Sequence, residues 1–337
     1  MKLSTPRWWY RRDGGRAGMP VIRALLTPVS WIWAAVTARR IARARLFDPG
    51  VPVICVGNLT VGGTGKTPVV RAVAQRLAAR GLEAHLLSRG YGGELSGPVR
   101  VDPTRHTSAQ VGDEPLMLAR DFPVWVAHDR AAGAAAAVAA GAQVIVMDDG
   151  HQNPSLAKAL SLVVVDGETR DGEWPFGDGR VFPAGPMREP LKAGLARADG
   201  VVILMAADLP QADEELIAQV LGPPLLTAHL RPAADLPAGP QVGFAGVGKP
   251  WKVERALRAA GCALTDFAPF PDHVAYEAAT LQALAARAAQ FDAGLITTEK
   301  DWVRLPAEWQ ARVTPWPVTA VFDDGTALDA LLARIGL

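Results

Sequence analysis

The sequence predicts an α/β protein with a parallel sheet, a second, smaller α/β domain and an amphipathic helix at the amino terminus. Three observations support this fold class. Apolar runs of strand length alternate with helical patterns along most of the 337 residues, a glycine-rich loop joins the first run to a helix, and arginines flank an apolar helical pattern before it. The composition, 49% hydrophobic and 20% charged, is that of a globular chain.

The charge of the chain is concentrated at its amino terminus. There are 35 basic and 34 acidic residues, for a formal net charge of +1. Residues 1–45 contain one acidic residue, Asp13, so this segment carries +9 and the remainder −8; its ten basic residues are Lys2, Arg7, Arg11, Arg12, Arg16, Arg23, Arg39, Arg40, Arg43 and Arg45. The nearly neutral total gives no reason to expect a nucleic acid partner. A basic arm on an acidic body indicates an anionic partner for the arm.

The basic arm contains a pattern of helical period. From residue 21 onward, apolar side chains recur at spacings of three and four, at Ile22, Leu25, Leu26, Val29, Ile32, Trp33 and Val36. The longest run without charge, Ala24–Ala38, has 15 residues, whereas a spanning helix needs about 20, so we expect no transmembrane span. We expect a helix in the membrane interface, with Trp31 and Trp33 at the headgroup boundary and the arginines against anionic lipid. Two other interpretations are a helix packed wholly on its own domain and a cleaved signal peptide.

A glycine-rich loop follows the first apolar run, Val51–Val56, and precedes a helical pattern that continues to about Arg80. Strand, loop and helix in this order are the context of a P-loop, in which backbone N–H groups surround phosphate oxygens. Lys66 would reach the β- and γ-phosphates, and Thr67 would offer its hydroxyl to Mg²⁺. The first glycine of the usual G-x-x-x-x-G-K-[ST] pattern is replaced by Thr60. The predicted nucleotide-binding residues are Thr60, Val61, Gly62, Gly63, Thr64, Gly65, Lys66 and Thr67.

A second apolar run, beginning at Val144, ends in Asp148 and Asp149. Paired acids after a buried strand have the Walker-B form, which places a carboxylate near Mg²⁺ or its water; a surface turn is the alternative. Guanine specificity would require [NT]-K-x-D after a late strand. Here Glu299 occupies the lysine position of Thr298–Asp301, which disfavours a GTPase.

Phosphoryl transfer to a hydroxyl needs a proton acceptor and cations around the transferred oxygens. Asp113, at the start of a helix, is a candidate base, and His273 could orient it. Arg188 and Glu189 suit contacts with phosphate and Mg²⁺ respectively. Each residue also has a structural interpretation: Asp113 as a helix cap, His273 as an exposed loop residue, and the other two as a surface ion pair.

Seven motifs occur in a fixed order: VGNLTVGGTGKTP, SRGYGG, VGDEP, DDGHQ, PAGPMREP, FPDH and TTEKD. In this order and spacing, the chain resembles the tetraacyldisaccharide 4′-kinase (lipid A 4′-kinase) family from about residue 20 to near its end. The resemblance implies a P-loop kinase that transfers the γ-phosphoryl group of ATP to the 4′-hydroxyl of a tetraacylated glucosamine disaccharide 1-phosphate. It also implies a monomer that sits peripherally, as a monotopic protein, on the cytoplasmic face of the bacterial inner membrane.

The same resemblance implies the roles of individual residues. Asp113 and His273 correspond to the family's catalytic pair, and the remaining catalytic residues would be Lys66, Asp149 and Arg188. Tyr91 and Gln152 would join the loop in binding ATP. The Mg²⁺ ligands would be Thr67, Asp148 and Glu189. The departures are Met187, where leucine is common, and Val274, where a second histidine is frequent.

Strand-like runs divide the chain into two α/β units. In the first unit they lie near residues 51–56, 83–88, 124–127, 144–149, 160–166, 200–205 and 225–230, and in the second near 241–246, 263–268, 294–298 and 316–322. The expected organisation is a basic membrane-interface segment, a P-loop kinase domain, a proline-rich linker and a smaller α/β domain, at residues 1–46, 47–231, 232–240 and 241–337. Asp113 and His273 then fall in different domains, and we expect domain closure to bring them together.

Two alternative functions remain open at this point. A membrane-peripheral regulatory ATPase would share the P-loop but would have no lipid acceptor. A non-enzymatic membrane adaptor with a vestigial P-loop is disfavoured because Lys66, Thr67, Asp148 and Asp149 are all present.

Overall fold

The structure is a computed structural model that describes residues 6–12 and 20–337, so Lys2, Asp13 and Arg16 of the basic arm lie outside the described residues. The strands are β1 Val53–Gly57, β2 Ala84–Ser88, β3 Val99–Arg100, β4 Val124–Val126, β5 Val144–Asp148, β6 Leu160–Asp166, β7 Gly200–Met205, β8 Leu225–Pro232, β9 Gln241–Ala245, β10 Leu264–Pro269, β11 Gly294–Thr298, β12 Val313–Trp316 and β13 Val318–Phe322. The α-helices are α1 Pro20–Arg43, α2 Lys66–Ala78, α3 Ser108–Val111, α4 Asp113–Leu118, α5 Arg130–Ala139, α6 Leu191–Leu195, α7 Glu214–Gln219, α8 Pro250–Ala259, α9 Ala278–Gln290, α10 Glu299–Trp302, α11 Ala307–Gln310 and α12 Gly325–Ala333.

The strands form two sheets. Nine strands make the larger sheet, in the order β13-β8-β7-β6-β1-β5-β2-β4-β3, and four make the smaller one, in the order β10-β9-β11-β12. Neighbouring strands are parallel except at the two edges of the larger sheet, where β13 pairs antiparallel with β8 and β3 with β4. The predicted α/β class with a mainly parallel sheet is confirmed.

The strand before the P-loop is buried on both faces. β1 lies between β5 and β6, and all five of its residues are buried. Ile54 and Val56 pack in one cluster with Val69 of α2, while Val53 packs in another with Ala134 of α5. Helices thus cover both faces, which explains the uninterrupted apolar run. The carboxyl end of β1 opens at the sheet edge where ligands bind in parallel α/β folds.

The end of the chain returns to the larger sheet, which corrects the predicted domain of residues 241–337. The run predicted as one strand at 316–322 is two strands, separated by Pro317: β12 pairs with β11 in the smaller sheet, and β13 pairs with β8 in the larger one. Leu328 and Leu331 of α12 then join the hydrophobic cluster that contains Ile54. Residues 233–240, between the two sheets, contain no helix or strand.

The predicted amino-terminal helix is present, and its polar side faces the protein. The buried residues of α1 are Arg23, Ser30 and Thr37, which recur every seven residues and therefore lie on one face. Large apolar side chains point outward instead: Leu25 is 72% exposed and Trp31 69%. A helix packed wholly on its own domain would bury such residues, so that interpretation is wrong.

Contacts along the length of α1 hold it against the protein. Arg23 forms an ion pair with Asp178 at 3.1 Å, Ser30 accepts a hydrogen bond from the Ala184 amide, and the Trp33 indole donates to the Arg188 carbonyl at 3.2 Å. Among the described residues, α1 is the one helix that is long and apolar enough to cross a membrane. Its contacts instead place it along the surface of the α/β body.

Candidate active site

The P-loop is closed by its own side chains and by one obligatory glycine. The amide of Asn58 donates to the Thr60 carbonyl at 2.8 Å and to the Thr64 hydroxyl at 3.1 Å, which folds the loop between β1 and α2. Gly65 precedes α2 with a φ of 77°, and a Cβ at this position would lie 2.4 Å from Cδ2 of Leu204. Only glycine fits both the left-handed backbone and the space.

The unusual Thr60 is explained by its pairing with the loop that contains PAGPMREP. Thr60 is buried and forms an antiparallel bridge with Met187, and Arg188 donates through Nε to the Thr60 carbonyl at 3.0 Å. The Val61 amide continues this contact by donating to the Pro186 carbonyl at 2.8 Å. From the amino-terminal segment, the Tyr10 hydroxyl donates to the Val61 carbonyl. The first half of the P-loop is therefore fixed from two sides.

Lys66, Asp149 and Arg188 form one charged cluster beside the P-loop. Arg188 makes a bidentate pair with Asp149, at 2.6 and 3.0 Å, and Lys66 Nζ lies 3.7 Å from Asp149 Oδ1. Burial would raise the pKa of Asp149, but Lys66 and Arg188 outweigh it and hold that pKa well below the usual range. Asp149 is therefore an anion that orients two cations beside the P-loop.

Asp148, the other acid of the predicted Walker-B pair, is buried and incompletely paired. It ends β5, and its Oδ1 atom has no hydrogen-bond partner in the residues that the structure describes. Burial, with Glu114 next, raises the pKa of this carboxyl to about 7. A divalent cation would give the Oδ1 atom a partner and would favour the ionised form of this buried carboxyl. Mg²⁺ binds oxygen ligands, and its remaining ligands are usually waters and phosphate oxygens. Asp148 fits such an ion, and Thr67, the second residue of α2, remains the other predicted ligand.

Glu189, the third predicted metal ligand, is engaged by protein groups. Arg197 donates to both of its oxygens at 2.7 Å, and Gln152 donates to Oε1 at 2.9 Å. These contacts balance its charge, which argues against a role as a metal ligand. Gln152 also donates to the Asn58 carbonyl at 2.8 Å, so Glu189 positions Gln152 against the start of the P-loop.

Asp113 and His273 meet across the cleft between the two sheets. His273 Nδ1 lies 2.9 Å from Asp113 Oδ2, and Arg304 Nε lies 3.0 Å from the same oxygen. Burial would raise the pKa of Asp113, but His273, Arg304 and Lys300 together lower it. Asp113 is thus an anion at neutral pH. His273 has a φ of 56°, uncommon for a residue with a side chain, and such strain occurs at functional sites.

Tyr91 lies beside this pair. Its ring centroid is 5.6 Å from that of His273, and 72% of the residue is exposed. The exposed Tyr91 ring therefore lies next to the Asp113–His273 pair. The P-loop contacts described above do not involve Tyr91.

The TTEKD segment ties the smaller sheet to the larger one. Lys300 donates to Glu114 at 3.0 Å, and Glu299 forms a bidentate pair with Arg71 of α2, at 2.8 and 2.9 Å. Asp301 is fully buried and accepts hydrogen bonds from the Gly246 amide and the Tyr276 hydroxyl. None of these acids is free to read a guanine base, in agreement with the sequence interpretation.

Three residues of the site escaped the sequence interpretation: Arg304, Lys300 and Glu114. Glu114 and Lys300 lie inside recognised motifs, directly after Asp113 and directly before Asp301, so their position was a usable signal. Arg304 lies outside every motif. It reaches Asp113 only because α10 and the turn after it pack against α4.

A P-loop between a buried strand and a helix, together with an Asp–His pair that joins the two sheets, is the arrangement expected of a P-loop kinase. A family model described as Tetraacyldisaccharide-1-P 4'-kinase matches residues 22–336, and the chain belongs to this family. The chain is 70% identical over 335 residues to the tetraacyldisaccharide 4'-kinase of Phenylobacterium zucineum, covering 99% of this chain and 100% of that protein. It is 67% identical over 337 residues to the protein of the same name from Caulobacter vibrioides, with full coverage of both.

The fold is also that of a solved structure. A crystal structure of LpxK from Aquifex aeolicus, described as the "apo" form in complex with ATP, superposes with a TM-score of 0.72. The sequences are 24% identical, and the superposition covers 93% of this chain and 99% of that one. The two proteins share a fold along nearly their whole length.

Proposed function

We propose that this protein is an ATP-dependent kinase that phosphorylates the 4′-hydroxyl of tetraacyldisaccharide 1-phosphate in lipid A biosynthesis. The observation that carries the proposal is the Asp113–His273 pair, because an acceptor hydroxyl needs a base. Glu114, the residue after Asp113, interacts electrostatically with Lys66 of the P-loop, which supports a position of the pair near the phosphates. The names and the full-length coverage of the relatives support the choice of acceptor.

The P-loop side of the cleft binds the triphosphate of ATP. Backbone amides of residues 62–67 and the start of α2 would surround the phosphates, and Lys66 would contact the β- and γ-phosphates. Thr67 and Asp148 would hold Mg²⁺, which would supply positive charge against the phosphate oxygens. Arg188 is held in place by Asp149 and by the Thr60 carbonyl, so its guanidinium is preorganised for the transferred group.

Asp113 takes the proton of the acceptor hydroxyl. His273 and Arg304 both contact its Oδ2 atom, and among residues 6–12 and 20–337 no hydrogen-bond partner is found for Oδ1, which is left for the hydroxyl. The low pKa of Asp113 suits a transition state in which the proton moves late, after the bond to the leaving phosphate has weakened. His273 positions the carboxylate, because its Nδ1 atom donates a hydrogen bond to Oδ2 of the ionised Asp113.

We also propose that the protein sits as a monotopic monomer on the cytoplasmic face of the inner membrane. The outward face of α1 presents Leu25, Trp31 and Ile32 to the bilayer, while Arg23 and Ser30 contact the α/β body. A helix held along its length by the body enters the interface sideways.

A transfer assay tests the kinase proposal against the regulatory ATPase. With γ-labelled ATP, Mg²⁺ and the disaccharide 1-phosphate, we expect the label in the lipid for the wild type and not for Lys66→Ala or Asp113→Asn. The matched control is Asp235→Asn, which removes an exposed carboxylate between the sheets. Steady release of phosphate with unlabelled lipid would support the ATPase instead.

A further inference from the structure

A shallow pocket lies at the carboxyl end of α1, outside the catalytic cluster. Its volume is about 520 Å³, and it is lined by Val36, Arg39, Arg40, Arg43, Ala44 and Pro154. Three of these six residues are arginines. Arg43 lies four positions after Arg39 and three after Arg40, so its side chain neighbours both of theirs on the helix surface.

The three guanidinium groups are not neutralised by protein carboxylates. Among residues 6–12 and 20–337, none of them forms an ion pair, whereas Arg23, Arg180 and Arg197 are each paired with an acid. Arg40 alone is tethered, through a hydrogen bond from Nη2 to the Gln152 carbonyl at 3.3 Å. A helix carboxyl terminus favours basic residues. The preference for basic residues at a helix carboxyl terminus does not explain why these arginines line a pocket whose other residues are apolar.

One residue connects this pocket with the reaction centre. The Gln152 carbonyl contacts Arg40, and the Gln152 side chain contacts the Asn58 carbonyl at 2.8 Å and Arg188 at 3.4 Å. Arg188 in turn pairs with Asp149 beside the P-loop. Gln152 therefore lies between the pocket and the charged cluster. Val36, which is 60% exposed, belongs both to the pocket and to the apolar outer face of α1.

We propose that Arg39, Arg40 and Arg43 form the binding site for the phosphate monoester that the acceptor already carries, at the end opposite to its reacting hydroxyl. This inference rests on the proposed function. A monoester carries between one and two negative charges and several acceptor oxygens, which suits three guanidinium groups that no carboxylate of the described residues neutralises. The site makes the kinase specific for phosphorylated acceptors and orients the sugar so that its distal hydroxyl faces Asp113.

The phosphate of a membrane phospholipid has related chemistry, so the test compares acceptors with vesicles. The variant Arg39→Gln/Arg43→Gln is assayed with the disaccharide 1-phosphate and with the same lipid lacking that phosphate, both in neutral detergent. Arg40 is retained because it contacts Gln152. The control is Arg45→Gln, which removes a charge from the same segment but does not line the pocket.

We expect kcat/KM for the 1-phosphate acceptor to fall by about tenfold or more, which corresponds to about 1.4 kcal/mol. The value for the acceptor without phosphate should not change, and Arg39→Lys/Arg43→Lys should recover part of the loss. Sedimentation with vesicles containing phosphatidylglycerol should equal that of the wild type. Arg45→Gln should leave the ratio between the two acceptors unaltered.

An equal loss with both acceptors would overturn the proposal, and so would a parallel loss of vesicle binding, which would assign the arginines to headgroups. Binding of each lipid without ATP, followed by tryptophan fluorescence, separates this proposal from the kinase proposal. If the wild type binds the 1-phosphate lipid more tightly than the other, Arg39→Gln/Arg43→Gln loses this preference and neither protein transfers phosphate, the pocket assignment stands and the kinase proposal fails. Equal binding of both lipids by the wild type overturns the pocket assignment.

Discussion

Nδ1 of His273 lies 2.9 Å from Oδ2 of Asp113, although 160 positions separate the two residues in sequence. Asp113 begins α4 beside the larger sheet, and His273 follows β10 of the smaller sheet. The sequence predicted that domain closure would bring them together. In the structure the pair is already formed, and Arg304 and Lys300 contact the first two residues of α4.

Replacing Asp113 by Asn should abolish most of the transfer. The amide keeps the shape but cannot accept the hydroxyl proton, and a positioned base contributes roughly 10²–10⁴-fold. We expect kcat to fall by that factor while KM for ATP changes little, because the nucleotide contacts the P-loop. Steady-state kinetics with both substrates measures this split. A rise in the KM for ATP with an unchanged kcat would contradict the role of Asp113.

Replacing Arg304 by Gln should shift the acid limb of the pH–rate profile. Burial raises the pKa of Asp113, and His273 and then Arg304 lower it, so removing Arg304 lets the pKa rise. Because the base acts only as an anion, activity is lost as pH falls through that pKa. The limb of kcat/KM should therefore move to higher pH in Arg304→Gln and less so in Arg304→Lys. A limb at the wild-type pH would show that Arg304 does not tune this carboxylate.

His151 should make stability depend on pH. Its ring contacts the Ser161 hydroxyl and the Gly194 carbonyl, both at 2.9 Å, and burial lowers its pKa from 6.5 to about 4. Between these two pH values, His151 is protonated in the unfolded chain but neutral in the folded protein. The free energy of unfolding therefore falls as pH drops from 6.5 toward 4. The loss amounts to about 3 kcal/mol at most.

Urea unfolding of the wild type and of His151→Gln, at neutral pH and at acid pH, measures this contribution. The variant should be less stable at neutral pH, where it loses a buried hydrogen-bonded ring, but should lose less stability on acidification. Carboxylates titrate in both proteins, so the comparison is the difference between the two slopes. Equal slopes would exclude His151 as the source.

Polar substitutions on the outer face of α1 should weaken membrane binding without affecting the fold. Leu25 and Ile32 are 72% and 65% exposed, and replacing both by Asn removes apolar area only from the proposed lipid contact. The expected loss is about tenfold or more in partition to vesicles. Leu221→Asn is the matched control, since Leu221 is 68% exposed in the body. Deleting residues 1–45 would be a poorer test because Tyr10 contacts the P-loop.

The sequence predicted those parts of the fold whose signals are local. Continuous apolar runs indicated the buried parallel strands, and glycines at fixed positions indicated the P-loop. The return of β13 to the larger sheet was missed because residues 316–322 form one apolar run, and the period of a run does not say which sheet it joins. Similarly, the apolar period of α1 predicted a helix but not that Arg23, Ser30 and Thr37 would face inward.

The candidate site was predictable where its residues lie in motifs. Asp113 and His273 were candidates by residue type and position, and the family resemblance identified them as a catalytic pair, whereas no spacing in the sequence relates residues so far apart. Arg304 carries no local signal, and its role depends on packing between α10 and α4. Glu189 was predicted to be a metal ligand from its residue type and motif. In the structure, however, Arg197, eight residues later, donates hydrogen bonds to both of its carboxylate oxygens.

The position of the new phosphate on the lipid tests the central claim most directly. After incubation of the wild type with ATP, Mg²⁺ and tetraacyldisaccharide 1-phosphate, the product lipid is analysed by phosphorus NMR with proton correlation. The account predicts a second phosphate monoester coupled to the proton at the 4′ position, and none with Asp113→Asn. A phosphate on another hydroxyl, or phosphate found only as the free inorganic ion, would contradict it.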